Sequence, residues 1–411
     1  MPDFEMRAAT TDELREFFAM LGGAFGEDFS DDEFEVESLV AEPEGTLAVF
    51  DGKDIVATAG AYTFDLTVPG GRLPAAGVTY VGVRSTHRRR GLLSQMMRRQ
   101  LTDVKDRGEP VAVLWASEAA IYGRFGYGVA STLLRIEVDR VDASVRADVA
   151  EDPTLRLRLM TPADMTSDIE RIEHAVVDRH PGQFERDKRW IEQLVADPTS
   201  RHGGMSKLQG LVVYDGDDAV GYALYRSKNE SLRPHMLPNG DVLVFAHAAL
   251  TPAADLALTR TLLSMDLMRR VRWWNRPLDS TVPHVLTDAR QARTTVVDGL
   301  HLRIVDLPAA LSGRRYAAPV DVVLDVDDPI CPWNTGRWHL RGDRQAATCS
   351  PTDDPAGIRL GIEDLGAIYL GGTSLTTLAA TGRVTAVDDD VLNRASVAFG
   401  WHVAPWCPVI F

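Results

Sequence analysis

Two spacings of apolar residues alternate along the first third of the chain. Between residues 14 and 21, an apolar residue recurs every three or four positions, which predicts a helix with a single buried face. Residues 45–60 contain an Asp-Gly pair between two apolar runs, the pattern of a tight hairpin. A β-rich run at 77–83 precedes a second amphipathic helix from Leu92, and the unbroken apolar run at 111–116 indicates a buried strand. This alternation predicts a mixed α/β fold.

The same order of elements returns further along the chain. A hairpin-like unit at 211–225, a strand at 241–246 and a leucine-rich helix follow one another. From about residue 297 the pattern changes to short strands and loops and then to helices. A chain of 411 residues has room for two or three domains at about 150 residues each. We therefore expect three domains, over residues 1–150, 151–295 and 296–411.

Composition and charge exclude several classes of protein. The chain has 44 Lys and Arg against 59 Asp and Glu, a net charge of −15, which argues against nucleic-acid binding and favours a cationic or neutral partner. No segment approaches the roughly 18 apolar residues of a membrane span, and the charged N-terminus does not resemble a signal peptide. The three cysteines are widely spaced and form no CxxC pair, so neither disulfides nor a metal site are expected. We expect a cytoplasmic protein and leave secretion open.

The segment with the most chemical content follows the run at 77–83. A strand ends there, a basic turn containing glycine follows, and a helix begins. The N–H groups of a first helical turn lack partners within the helix and carry the positive end of its dipole, so they bind phosphate. Arg88, Arg89 and Arg90 add positive charge, and Gly91 lets the backbone approach a ligand closely. We interpret this turn as a candidate pyrophosphate site; a solvated basic turn that caps a core helix is the alternative.

Arg88-x-x-Gly91-x-Leu93 resembles the signature of the GNAT acetyltransferase superfamily, [Arg/Gln]-x-x-Gly-x-[Gly/Ala], and departs from it at Leu93. Further motifs, spread over nearly the whole chain, are similar to the Eis (enhanced intracellular survival) family: Thr86–Leu93, Ala116–Gly128, His284–Thr295, Asp298–Ile304, Leu307–Leu311, Tyr369–Ala380 and the terminal Phe411. The resemblance implies two tandem GNAT-like domains, a sterol-carrier-protein-like domain at the C-terminus, and assembly as a homo-hexamer.

The resemblance also implies roles for individual residues. Tyr122 matches the general acid of the family, and the terminal carboxylate of Phe411 matches its general base. The residues that match its acetyl-CoA site are Val81, Gly82, Val83, Arg88, Arg89, Arg90, Gly91, Leu92, Leu93, Ser94, Ser117 and Glu118.

Two features of the sequence bear on these catalytic roles. Tyr127 is the rival of Tyr122 as proton donor, and packing in a glycine-rich turn is the alternative for both. Residues 401–411 contain no Asp, Glu, Lys or Arg, whereas loose tails are usually polar. Burial of this tail would draw the carboxylate of Phe411 inside and raise its pKa, which makes a better base. A final core strand is the alternative, and His402 is a weaker candidate base.

An acidic run between Glu27 and Glu37 is the candidate amine-binding region. The resemblance aligns Asp28 with an acidic position that follows a phenylalanine in the family. Asp28 is therefore the expected amine ligand and Glu27 the second choice, with a solvated acidic helix face as the alternative. Trp115 stands where the family can carry a smaller ring, and its larger ring would narrow the amine pocket.

Together these observations predict an acetyl-CoA-dependent N-acetyltransferase without a metal. Family substrates are aminoglycosides, acetylated at more than one amine, and peptide lysines. A protein or peptide lysine acetyltransferase is the first alternative, and a non-catalytic carrier of an apolar ligand in the third domain is the second. The strand at 241–246 is followed by neither an arginine run nor a glycine turn. We therefore predict one CoA site per chain.

Overall fold

The structure is a computed structural model that describes residues 4–141, 143–149, 151–232 and 235–411. Its strands and α-helices in chain order are β1 (Glu5–Arg7), α1 (Leu14–Phe25), α2 (Asp31–Ser38), β2 (Thr46–Asp51), β3 (Asp54–Val68), β4 (Gly71–Val83), α3 (Leu92–Asp106), β5 (Val111–Trp115), α4 (Ala119–Tyr122), β6 (Gly128–Val129), β7 (Thr132–Asp139), β8 (Leu155–Met160), α5 (Thr166–Val176), α6 (Lys188–Val195), β9 (Gln209–Asp215), β10 (Asp218–Lys228), β11 (Ser231–Leu232), β12 (Leu237–Pro238), β13 (Gly240–Ala249), α7 (Pro252–Ser264), β14 (Met268–Arg276), α8 (Val282–Val285), β15 (Ala292–Asp298), β16 (Leu300–Ile304), α9 (Leu307–Gly313), β17 (Val320–Asp327), β18 (Gly336–Gly342), β19 (Ala347–Pro351), β20 (Ile358–Gly361), α10 (Ile362–Ile368), α11 (Leu375–Ala380), β21 (Thr385–Ala386) and α12 (Asp389–Phe399).

The first domain is built on a seven-stranded sheet in the order β1-β2-β3-β4-β5-β16-β6. Strands β4 and β5 are parallel and joined by α3, whose apolar face is buried against the sheet as the three-to-four spacing predicts. Their pairing runs from Ala75–Val111 to Val78–Leu114, and beyond that point the two strands separate. Close to this separation, the β3–β4 pairing contains a bulge and Tyr80 has a positive φ of 55°.

The second domain repeats this arrangement. Its sheet has seven strands in the order β15-β7-β14-β13-β10-β9-β8. Strands β13 and β14 are again parallel and joined by a helix, α7, and their pairing ends at Val244–Trp273 although both strands continue. The repetition of hairpin, strand, helix and strand that the sequence predicts is therefore present in three dimensions.

The first two sheets exchange strands across the ranges expected from the sequence. Strand β7 lies before residue 150, yet it pairs with β14 and β15 in the second sheet. Strand β16 lies after residue 296, yet it pairs with β5 and β6 in the first sheet. In each sheet, some backbone groups are therefore hydrogen-bonded to a strand that the sequence assigns to a different domain. As folding units, the ranges 1–150, 151–295 and 296–411 remain a prediction.

The third domain has a five-stranded sheet in the order β19-β18-β17-β20-β21 with α9 to α12 around it. Its core is continuous with that of the first domain, since apolar residues of β3, β16, β17 and α10 form one buried cluster. A buried ion pair between Arg303 of β16 and Asp328 joins the two at 2.7 Å. Breaking such a pair by removing one partner typically costs about 3–5 kcal/mol.

The C-terminal segment, residues 400–411, follows α12 and forms neither helix nor strand. The core strand that the sequence offered as an alternative for this tail is therefore not formed. Among the described residues, no helix has both the length and the apolar character needed to cross a lipid bilayer.

Candidate active site

The turn between β4 and α3 is shaped by two residues with left-handed backbone. Arg89 has a φ of 63° and Gly91, the residue before the first turn of α3, has a φ of 82°. The left-handed region is open to glycine without steric cost, so Gly91 lets the chain reverse sharply into the helix. Helix α3 begins directly after Gly91, and the N–H groups of its first turn have no partners within the helix, as a phosphate site at a helix N-terminus requires.

A cavity of about 740 Å³, here called the α3 cavity, lies where this turn meets the separated ends of β4 and β5. All of the residues predicted to bind acetyl-CoA line it except Arg90. Tyr122, Ala24 and Phe25 complete part of its wall. The fold thus brings together residues that are spread over more than thirty positions of the sequence.

The three arginines of the turn have different environments. Arg88 donates from Nε to the carbonyl oxygen of Val83 at 3.3 Å and from Nη2 to that of Ala24 at 3.2 Å, so it ties the turn to β4 and α1. Arg89 is exposed and lines the cavity, whereas Arg90 is exposed and does not. Arg89 is therefore the guanidinium best placed to meet an anionic ligand.

Tyr122 ends the short helix α4 and is 5% exposed. Burial, and secondarily the charge of Glu118, raises the pKa of its phenol to about 12, so the group holds its proton at neutral pH. Tyr127 is fully buried, and its ring lies edge to face with that of Tyr122 at 6.0 Å between centroids. It does not line the α3 cavity, and among the described residues its hydroxyl has no hydrogen-bond partner. Of the two phenols, that of Tyr122 is the one at the wall of the α3 cavity.

The C-terminal segment ends in an aromatic cluster beside β3. The ring of Phe411 packs edge-on against Phe64 at 4.9 Å and against Phe184 at 5.7 Å. Tyr62 and Trp190 belong to the same cluster, with their rings 4.9 Å apart. The terminal residue is half-buried, as the apolar sequence of the tail predicts. His402 is exposed.

The residues predicted to bind the acceptor lie apart from one another. Glu27 and Asp28 are exposed in the loop after α1, close in sequence to Phe25 at the wall of the α3 cavity. Trp115 ends β5 and lies beside the thiol of Cys407 in the C-terminal segment. Their roles in acceptor binding remain a prediction.

Glu37 differs in its environment from the rest of the acidic run, which the sequence does not reveal. Its carboxylate pairs with Arg201 at 2.8 Å, accepts a hydrogen bond from Gln193 at 3.4 Å, and lies 3.5 Å from the hydroxyl of Tyr80. The Tyr80 hydroxyl is itself hydrogen-bonded to that of Tyr62. Burial raises the pKa of Glu37, and Arg201 opposes that rise. This network joins the first domain to the second through residues that are remote in sequence.

Comparison with known proteins agrees with the geometry. Residues 5–130 and 182–304 match two acetyltransferase (GNAT) domain families, and residues 307–408 match a sterol carrier protein domain. N-acetyltransferase Eis of Mycobacterium tuberculosis is 36% identical over 405 residues, which is 96% of each chain. The chain belongs to the Eis family of N-acetyltransferases.

Other Eis-like proteins extend the match. A Streptomyces avermitilis protein, named as an uncharacterised N-acetyltransferase, is 44% identical over 378 residues, 92% of each chain. The crystal structure of Eis1 from Mycobacterium abscessus covers both chains completely, with 29% identity and a TM-score of 0.82. A GCN5-related N-acetyltransferase from Anabaena variabilis has a TM-score of 0.84 at 17% identity, which shows the shared fold alone. The predicted fold class, two GNAT domains followed by a sterol-carrier-like domain, is confirmed, and the GNAT domain implies acetyl-CoA as co-substrate.

Proposed function

We propose that this chain acetylates primary amines of polycationic small molecules, namely aminoglycosides, at more than one position. The observation that carries the proposal is the α3 cavity, in which the basic turn, the open end of β4 and the phenol of Tyr122 meet. Its volume of about 740 Å³ is in the range of cofactor sites.

Acetyl-CoA supplies the acetyl group as a thioester. The first N–H groups of α3 and the guanidinium of Arg89 would hold its diphosphate. Backbone N–H groups near Val81–Val83, beyond the last β4–β5 pair, would stabilise the negative charge that develops on the thioester oxygen. Tyr122 would donate its phenolic proton to the departing sulfur. Its raised pKa of about 12 keeps that proton on the phenol until it is needed.

The acceptor amine must lose a proton to attack, and we assign this proton to the carboxylate of Phe411. The C-terminal segment supports the assignment because its last ring is held between Phe64 and Phe184. A carboxylate held in one place acts as a general base more effectively than one on a mobile tail. His402, which is exposed, remains the weaker candidate.

Charge supports a cationic acceptor. The chain carries a net charge of −15, and the exposed carboxylates of Glu27 and Asp28 follow Phe25 at the wall of the α3 cavity. Such a field attracts amines over long range and raises their local concentration. We propose Asp28, with Glu27 second, as the carboxylate that receives an ammonium group of the acceptor, and Trp115 as a determinant of its size.

The two alternative functions make different demands on the structure. A lysine acetyltransferase would use the same cavity with a peptide as acceptor. A carrier needs a large apolar cavity in the third domain, but the cavity lined by Pro319–Val322 and residues of α12 holds only about 30 Å³. Ligand pockets usually measure about 300–1,000 Å³, so this cavity lends no support to a carrier role.

The experiment that tests the proposal measures thiol release from acetyl-CoA with four acceptors at equal concentration. These are an aminoglycoside, a linear polyamine, a lysine peptide and a simple monoamine. We expect the highest kcat/KM with the aminoglycoside and a product that carries two or more acetyl groups by mass spectrometry. Faster turnover of the lysine peptide would contradict the aminoglycoside assignment, and no turnover with any amine would contradict the catalytic one.

Two further expectations concern the protein in the cell. We propose assembly as a homo-hexamer and a cytoplasmic location. Sedimentation velocity at micromolar concentration tests the first, and fractionation of the native host tests the second.

A further inference from the structure

The second domain has an opening between two strands like the one that forms the α3 cavity in the first. Strands β13 and β14 stop pairing after Val244–Trp273, although β13 continues to Ala249 and β14 to Arg276. In the first domain, β4 and β5 stop pairing after Val78–Leu114. The second opening lacks a basic turn, since Thr251 caps α7 directly. It therefore shares the strand separation of the first domain but not its basic turn.

This opening is occupied by the C-terminal segment of the same chain. Trp406, Pro408, Val409 and Ile410 face the ends of both strands across a cavity of about 290 Å³, here called the tail cavity. The backbone N–H of Trp406 donates to the carbonyl oxygen of Pro181 at 2.8 Å. Ahead of it, the N–H of Ala404 donates to Oδ2 of Asp279 at 3.0 Å. The segment is thus bound by the second domain over several residues.

Asn275 of β14 makes the most specific contacts with this segment. Its Oδ1 accepts a hydrogen bond from the indole N–H of Trp406 at 2.6 Å, and its Nδ2 donates to the carbonyl oxygen of Cys407 at 2.9 Å. Asn275 is 7% exposed, so water competes little for either bond. One amide that binds a side chain and the adjacent backbone fixes both the position and the rotation of the segment.

The two hydrogen bonds of Asn275 to Trp406 and Cys407, here called the clamp, lie a short distance along the chain from the terminal carboxylate. Phe411 comes four positions after Cys407, and an extended chain spans at most about 14 Å over that distance. The segment is also held beyond the clamp, because the Phe411 ring packs on Phe64 and Phe184. Near the end of β3, Thr67 in turn exchanges backbone hydrogen bonds with Gly182 and Gln183 of the second domain. The position of Phe411 therefore depends on both domains.

We infer that the opening between β13 and β14 is a binding site for the C-terminal peptide of this chain, and that Asn275 is a positioning residue for the carboxylate of Phe411. The second GNAT-like domain would thereby help to place a group that the proposed reaction requires. The positioning part rests on the proposed role of that carboxylate as the general base.

The test compares Asn275→Ala, which removes both hydrogen bonds of the clamp, and Trp406→Phe, which removes the one from the indole, with Asn239→Ala as an asparagine control in the same domain. We expect kcat to fall about ten- to a hundredfold in both clamp variants, the cost of misplacing a catalytic group by about 1 Å. The KM for acetyl-CoA should stay unchanged, since neither residue lines the α3 cavity. Amide hydrogen exchange of residues 401–411 should accelerate in the clamp variants and not in the control.

A chain with one alanine added after Phe411 separates the two claims. If this extension lowers kcat, Asn275→Ala in the extended chain should cost little more, since the base is already displaced. If the extension lowers kcat but the clamp variants retain wild-type kcat and tail protection, the inference is overturned and the base assignment stands. If the clamp variants loosen the tail while the extension leaves kcat intact, the peptide site stands and both the base and the positioning role are overturned. If Asn275→Ala does not fold, Trp406→Phe alone decides.

Discussion

Tyr122 and Tyr127 lie edge to face with their ring centroids 6.0 Å apart, yet Tyr122 alone of the pair lines the α3 cavity. Tyr122 stands at the end of α4, where a phenol can reach a group bound in the cavity. Both tyrosines belong to one apolar cluster, in which Tyr127 is the more deeply buried. Two residues that look equivalent in the sequence therefore have different access to the reacting atoms.

We predict that Tyr122→Phe lowers kcat by about 10²–10⁴-fold, the range for loss of a general acid. Affinity for acetyl-CoA should change little, because the ring remains in the wall of the cavity. Tyr127→Phe serves as the matched control, since it removes the same hydroxyl from a fully buried ring. Thiol-release kinetics and CoA titration measure the two effects. An equal loss of kcat in Tyr127→Phe would contradict the assignment of Tyr122.

The pKa of the Tyr122 phenol adds a prediction about pH. Burial raises this pKa to about 12, so the donor form persists well into the alkaline range. The proton is lost, and with it the donor, only as pH rises through that value. We expect kcat to show no alkaline limb due to this group below about pH 10. A limb at lower pH that disappears in Tyr122→Phe would show that the phenol is ionised earlier than its burial implies.

Arg89 and Arg90 provide a second matched pair. Both are exposed, but Arg89 lines the α3 cavity and Arg90 does not. We predict that Arg89→Ala raises the KM for acetyl-CoA about tenfold, because a charge-assisted contact with a phosphate contributes about 1.5 kcal/mol. Arg90→Ala should have a clearly smaller effect, limited to screened long-range attraction. Equal effects of the two variants would place the diphosphate elsewhere along the turn.

Glu37 should make stability depend on pH. Burial raises its pKa in the folded chain above the ordinary value of 4.5. The folded chain therefore binds this proton more tightly than the unfolded chain. Its contribution to the free energy of unfolding is present below pH 4.5 and is lost as pH rises through the raised folded value.

Glu37→Gln should remove this loss, so that the free energy of unfolding falls less between about pH 4 and pH 7 than in the wild type. Urea unfolding at several pH values measures the difference. Glu35→Gln, an exposed position on the same helix α2, is the control and should follow the wild type. If both variants keep the wild-type dependence, Glu37 does not titrate as its burial implies.

The second GNAT-like domain should not bind the coenzyme. Thr251 caps α7 where the first domain has its glycine and arginines, and the C-terminal segment lies against the strand opening. We predict a stoichiometry of one CoA per chain by isothermal titration. Arg89→Ala should weaken that single binding event, while a second event unaffected by Arg89→Ala would refute the prediction.

The sequence by itself determined what depends on neighbouring residues. The strand, the basic turn with Gly91 and the amphipathic helix α3 follow from local spacing, because a helix N-terminus and a left-handed glycine need only their own segment. The apolar tail likewise indicated its burial. The order of motifs pointed to the family and hence to the three kinds of domain, which the comparisons confirm.

Only the tertiary structure decided which of the chemically similar residues acquire specific partners. Glu37 differs from the other carboxylates of its run because Arg201, 164 positions away, reaches it. Asn275 holds the tail from 131 positions away, and β16 completes a sheet that begins near residue 5. Burial, pairing and access to a cavity are properties of the packed chain. Spacing along the sequence predicts which face of one element is buried, but not which distant residues meet there, because only folding makes those residues neighbours.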